Sequence, residues 1–239
     1  MDKDHRSTGE DIPFFHPTPT AERPLAGMTI LVVEDSRFAS EALRLMCLRS
    51  GARIRRADCL ASAHRHLNTY RPTVAVVDLG LPDGSGLTLI AEMHRDSTRV
   101  PVLLATSGAD RAEAERAALQ AGADGFLPKP VESLGAFQSE ILRHLPAEMH
   151  PRGPRDLAAA ALEPDRLALR EDLGHALSLL NSDSLPTGYL RRFLLGLARS
   201  AHDDGLEETA RALPARLAHE DRANLRALLA DRVAGLAAV

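Results

Sequence analysis

The chain has 239 residues, enough for one large domain or two ordinary ones. Hydrophobic residues make up 44% of it and aromatics only 3%, with no Trp, so a core must be built mainly from Leu, Val and Ala. A net charge of −4 argues against a surface given over to nucleic acid, the two cysteines form no disulfide framework, and no apolar run approaches the length of a membrane helix.

Residues 1–26 read as a flexible leader, because Pro13, Pro17, Pro19 and Pro24 forbid a regular helix. They contain no apolar signal segment, so the expected location is the cytoplasm, without membrane insertion. From Met28 the texture changes. Short apolar runs at 28–33, 52–57, 73–78, 100–106 and 124–128 alternate with amphipathic stretches near 36–50, 60–70, 84–96, 110–121 and 131–145. This is the pattern of β-α units on a parallel sheet covered on both faces. The second run carries Arg53, Arg55 and Arg56 and reads as an edge strand.

The prolines and glycine of "LPAEMHPRGPRD" interrupt the alternation, which gives a first domain over 27–146 and a linker over 147–156. Residues 157–239 read as four or five short helices in a small bundle. Their stripes are Leu169, Leu173, Leu177 and Leu180, then Leu190, Phe193, Leu194, Leu197 and Ala201, then Leu225, Leu228, Leu229, Val233 and Leu236. Pro164, Pro186 and Pro214 mark helix starts or kinks.

The chemistry gathers at the strand ends. Glu34 and Asp35 close the first strand and Asp78 closes the third. In neighbouring strands these would form one acidic crevice, each pair repelling by roughly 4 kcal/mol at about 4 Å and an effective dielectric near 20. Hard oxygen ligands without His or Cys point to Mg²⁺ or Mn²⁺. Thr106 ends the fourth strand with a hydroxyl, and Lys129 follows the fifth with a cation. A carboxylate nucleophile, a metal, a hydroxyl and an ammonium suit phosphoryl transfer to Asp78.

In "VVEDS" (32–36), "VVDLGLPDGSG" (76–86), "LLATSG" (103–108) and "AGADGFLPKP" (121–130), the sequence resembles the CheY-like receiver domain of two-component response regulators. The resemblance covers about residues 27–146. It implies a flavodoxin-like (βα)5 fold with strand order 2-1-3-4-5, a doubly wound order whose ligands sit at the carboxyl ends of the strands. It also implies a phosphoryl group accepted by Asp78 from a sensor histidine kinase or a phosphotransfer protein. The metal would be held by Asp35, Asp78 and the carbonyl of Gly80, with Glu34 acting mainly through water. Thr106 and Lys129 would hold phosphoryl oxygens. Thr106 and Phe126 would form the switch, and the Lys129–Pro130 bond would be cis. The protein would be a switch that can lose its own phosphoryl group and turns over no substrate. Gly80 and Gly108, two residues after Asp78 and Thr106, carry no side chain where relatives tune dephosphorylation.

The helical half is less legible. A winged helix-turn-helix would bring strands, and none is visible past residue 150. Arginines and acidic residues nearly balance there and lysine is absent, which argues against DNA, although an unrecognised helix-turn-helix is an alternative. A second alternative is a degenerate phosphotransfer bundle. Residues 191–213 faintly resemble that module's small-residue helix through Gly196 and Ala198, with Arg192 where its reactive His belongs. The preferred reading is a protein-interaction or dimerisation bundle, with an unknown downstream protein or a second copy as partner. A phosphatase of the haloacid-dehalogenase kind needs a second Asp where this chain has Gly80.

Overall fold

Valine, leucine and isoleucine fill the strands of the computed structural model, which describes residues 17–96, 99–153, 165–182 and 187–237. The first sixteen residues of the predicted leader, the end of the predicted linker, the bundle start up to Pro164, and Pro186 lie outside the described residues. The strands of the main sheet are β1 (Thr29–Val33), β2 (Arg53–Ala57), β3 (Val74–Asp78), β6 (Val102–Ser107) and β7 (Gly125–Pro128). All pair in parallel in the order β2-β1-β3-β6-β7. Counting these five strands alone, the order is the expected 2-1-3-4-5. The arginine-bearing β2 is an edge. A short antiparallel pair, β4 (Gly80–Leu81) and β5 (Gly84–Ser85), closes the Pro-Asp-Gly turn and was not anticipated.

The helices packed on the sheet are α1 (Arg37–Arg49), α2 (Leu60–Thr69), α3 (Gly86–Arg95), α4 (Arg111–Ala121) and α5 (Leu134–Arg143), the last following the final strand. Side-chain oxygens of Ser36, Ser85, Asp110 and Ser133 cap α1, α3, α4 and α5 by accepting a first-turn backbone N–H. Gly122 ends α4 at φ 103°, a left-handed conformation suited to glycine. One apolar cluster, including Ile30, Val76, Leu104 and Phe137, fills one face of the sheet. Another, including Leu31, Val77, Leu103 and Ile90, fills the other.

Within the span read as a leader, residues 24–26 are buried. Leu25 is fully buried, and its N–H donates to the Ser50 carbonyl at 2.9 Å. Burying one leucine is worth about 1.5–3 kcal/mol, enough to dock a short proline-rich segment.

Past a 3₁₀ turn at Ala147–Met149, the described remainder is helical: α6 (Arg166–Leu180), α7 (Thr187–Ala201), α8 (Asp204–Ala212) and α9 (His219–Ala237). The three predicted leucine stripes share one core. Phe38 of α1 belongs to that core, so the bundle is built onto the sheet domain.

Gly86 opens α3 directly over β3, where an added Cβ would overlap the Asp78 carbonyl oxygen. Gly86→Ala is therefore expected to cost about 1–3 kcal/mol through overpacking, read as a lower urea midpoint. An unchanged midpoint would mean that the helix start shifts freely.

Candidate functional site

Parallel strands end together, and their loops bring distant residues to one edge. The β1 end delivers Glu34 and Asp35, β3 delivers Asp78, β6 delivers Thr106, and the turn after β7 delivers Lys129. Asp78 and Thr106 are register partners on adjacent strands. The carboxylates of Glu34, Asp35 and Asp78 each offer an oxygen within 4.8 Å of the others. Lys129 Nζ stands 2.6 Å from Glu34 Oε2 and 3.1 Å from Asp78 Oδ2. The Ser36 N–H donates to Glu34 Oε1 at 3.2 Å. Gly80 lies in β4 just beyond Asp78, and the Lys129–Pro130 bond is cis. Phe126 is buried in the second sheet cluster.

Burial is deep for so many charges. Relative exposure is 3% for Glu34, 7% for Asp78, 2% for Thr106 and 8% for Lys129. Loss of hydration pushes Glu34 up to about 8, with the charges of Asp78 and Asp35 adding to the rise and Lys129 opposing it. Burial and then Asp78 push Asp35 up to about 6. For Lys129, burial works against the charged form, but Asp78 and Glu34 more than offset it and hold the ammonium above its ordinary range. Three carboxylates face one cation, leaving excess negative charge that a hard divalent ion would relieve. The all-oxygen donor set and its spacing fit such an ion.

Two residues that sequence reasoning missed complete the surroundings. Tyr189 of α7 donates its hydroxyl to Asp35 Oδ2 at 2.6 Å. Asp172 of α6, only 2% exposed, accepts from Ser36 Oγ at 2.7 Å, the Arg37 N–H at 3.0 Å and the Phe38 N–H at 3.0 Å. A signal for Asp172 was present: one acid sits on the apolar face that Leu169, Leu173 and Ala176 define. Tyr189 had none beyond being one of two tyrosines. Arg192 lies beside Gly80. Among the described residues, no helix is long and apolar enough to cross a membrane.

Residues 30–137 match the protein family described as the response regulator receiver domain. The transcriptional regulatory protein PhoP of Escherichia coli O157:H7 is 34% identical over 121 residues, covering 48% of this chain and 52% of that protein. The chain thus spans about half the length of the curated relatives it matches. Among solved structures, the signal receiver domain of a signal transduction histidine kinase from Syntrophus aciditrophicus is 24% identical, with a TM-score of 0.45, over 49% of this chain and 89% of that one. A two-component response regulator from Clostridium difficile is 23% identical, with a TM-score of 0.44, over 48% and 96%.

Proposed function

Residues 30–137 carry the receiver domain of a two-component response regulator, and from that premise we propose that Asp78 is its phosphoryl acceptor. The convergence of Glu34, Asp35, Asp78, Thr106 and Lys129 at one sheet edge is the observation that carries this reading. An Asp78 carboxylate oxygen attacks the phosphorus of a phosphohistidine on a sensor kinase or phosphotransfer protein. The O–P bond forms, the P–N bond breaks, and the imidazole leaves with the electron pair.

Each neighbour has a task. Lys129 neutralises the phosphoryl oxygens from the side it already shares with Asp78. Thr106 donates its hydroxyl to one of them. Glu34, Asp35, Asp78 and the Gly80 carbonyl would hold Mg²⁺, which supplies charge neutralisation when bound. Movement of Thr106 toward the phosphoryl group frees space behind it for Phe126, whose ring reports the change. The helical half is the output, a protein-interaction module controlled by the receiver. Turnover of a separate substrate is not expected, and the cytoplasm, where kinases of this kind deliver phosphoryl groups, is the proposed location.

Intact protein incubated with acetyl phosphate and Mg²⁺ should gain the mass of one phosphoryl group, and Asp78→Asn should gain none. Equal labelling of both would move the acceptor elsewhere. Chelating the metal should abolish labelling of the wild type.

A further inference from the structure

Helix α7 crosses the receiver site, where Asp78 and Lys129 are buried. Tyr189, Arg192, Gly196 and Arg199 recur every three or four residues and share one face of that helix. Tyr189 reaches Asp35 after β1. The Arg192 side chain lies against Gly80 after β3. Gly196 lies over Lys129 after β7, where a Cβ at 196 would be 3.7 Å from the ammonium nitrogen. Arg199 donates to the Ala109 carbonyl after β6. One helix face therefore touches the ends of four strands.

The two glycines flanking the pocket fit this helix. A Cβ at Gly108 would overlap the Gly196 backbone, and all three of its nearest neighbours would be main-chain atoms of α7. A Cβ at Gly80 would meet Arg192 at 3.4 Å. Neither glycine has the left-handed backbone that would itself demand glycine. What requires the missing side chain at 108 is the close approach of α7.

A cleft of about 650 Å³ between α1, β2 and α6 leads to Glu34 and Asp35, but Asp78 does not line it. Small ions can thus approach Glu34 and Asp35 from a side that Asp78 does not line.

We propose that α7 is a removable cap on Asp78, seated on the surface that a phosphoryl-donor helix must occupy, so that cap and donor compete for one seat. This rests on Asp78 being the acceptor. The seat selects a helix with a small residue where Gly196 now lies against Gly108, and with its phosphorylated side chain about one turn away on the same face. The open fraction of the cap sets the rate at which any donor, large or small, charges Asp78.

The test uses the full chain, phosphoramidate as donor and saturating Mg²⁺, with intact mass followed over time. Gly108→Ala keeps every pocket side chain but excludes the α7 backbone, and loss of label after donor removal is followed alongside, so that slower dephosphorylation is not read as faster charging. Arg199→Ala removes a latch outside the pocket. Both should label faster than wild type, Gly108→Ala by at least about tenfold, as its open fraction rises. Asp78→Asn is the blank, and circular dichroism melts report whether each variant is folded. Should Gly108→Ala fail to fold, Arg199→Ala decides alone. Labelling of the folded variants at the wild-type rate overturns the cap and leaves Asp78 as acceptor. Absence of labelling in wild type and variants alike overturns the acceptor and the cap with it.

Discussion

Lys129→Met should destabilise the metal-free protein by about 3–5 kcal/mol near pH 8, the usual cost of removing one partner from a buried ion pair. The ammonium is within 2.6 Å of Glu34 and 3.1 Å of Asp78, and no other cation shares a salt bridge with either carboxylate among the described residues. Without it, three acids remain together, Glu34 and Asp78 buried and Asp35 half-buried. The loss should depend on pH in a defined sense. Glu34 and Asp35 sit above their ordinary values, at about 8 and about 6. Between the unfolded carboxylate range and those values the native state holds more protons than the unfolded chain, so stability falls as pH rises through that window. Removing Lys129 raises both groups further and deepens the fall. The deficit should therefore be largest above pH 8 and shrink below about pH 5, where Glu34 and Asp35 are neutral. Saturating Mg²⁺ should recover part of it by binding only the folded state. Urea midpoints at several pH values, with and without the metal, measure all of this. A deficit under about 1 kcal/mol, or one flat with pH, would mean that water already screens the cluster. Phosphoryl labelling should fall with Lys129 even where the fold survives.

The sheet and its pocket were legible because their determinants are local and repeated. Apolar runs such as "TVAVVD" announce buried strands, amphipathic stretches between them announce helices, and the parallel alternation forces strand ends onto one edge. Glu34, Asp35, Asp78, Thr106 and Lys129 could be nominated because each ends such a run. The resemblance to receivers gave them roles, which composition and spacing alone did not. The relation of the two halves was not legible. It depends on Tyr189 meeting Asp35 and on Asp172 meeting the start of α1, pairs separated by 154 and 136 residues for the tyrosine and for the Ser36 contact. Nothing in a local window carries such a pairing. Gly80 and Gly108 were visible as departures from the family pattern, but only the position of α7 explains why a side chain is missing at 108. Leu25 was assigned to a flexible leader because prolines dominate its neighbourhood, while a single leucine anchoring the segment leaves no periodic trace.

Asp172→Ala should uncouple the halves. Its carboxylate accepts from the N–H groups of Arg37 and Phe38, two of the first-turn donors of α1 that no helical carbonyl can reach. Ser36 Oγ meanwhile accepts from the Ala39 N–H and donates to Asp172, so side chains from both halves complete one cap. A negative charge at a helix start is also favoured by the helix dipole. Burial opposes this by pushing the Asp172 carboxyl above its ordinary range, against the pull of those hydrogen bonds, so the latch is a balance rather than a free gain. Truncation to Ala leaves donors unsatisfied, at about 1–3 kcal/mol for a buried group. A total near 2–4 kcal/mol is expected, softened where water enters the gap. The form of the unfolding curve matters as much as its midpoint. Phe38 sits in the helical core beside Leu173, so the wild-type halves should melt together. With the cap broken, α6–α9 should release first and the sheet later, giving two urea transitions where the wild type gives one. A single transition at the wild-type midpoint would mean that apolar contact through Phe38 holds the halves together and that the buried carboxylate is a passenger.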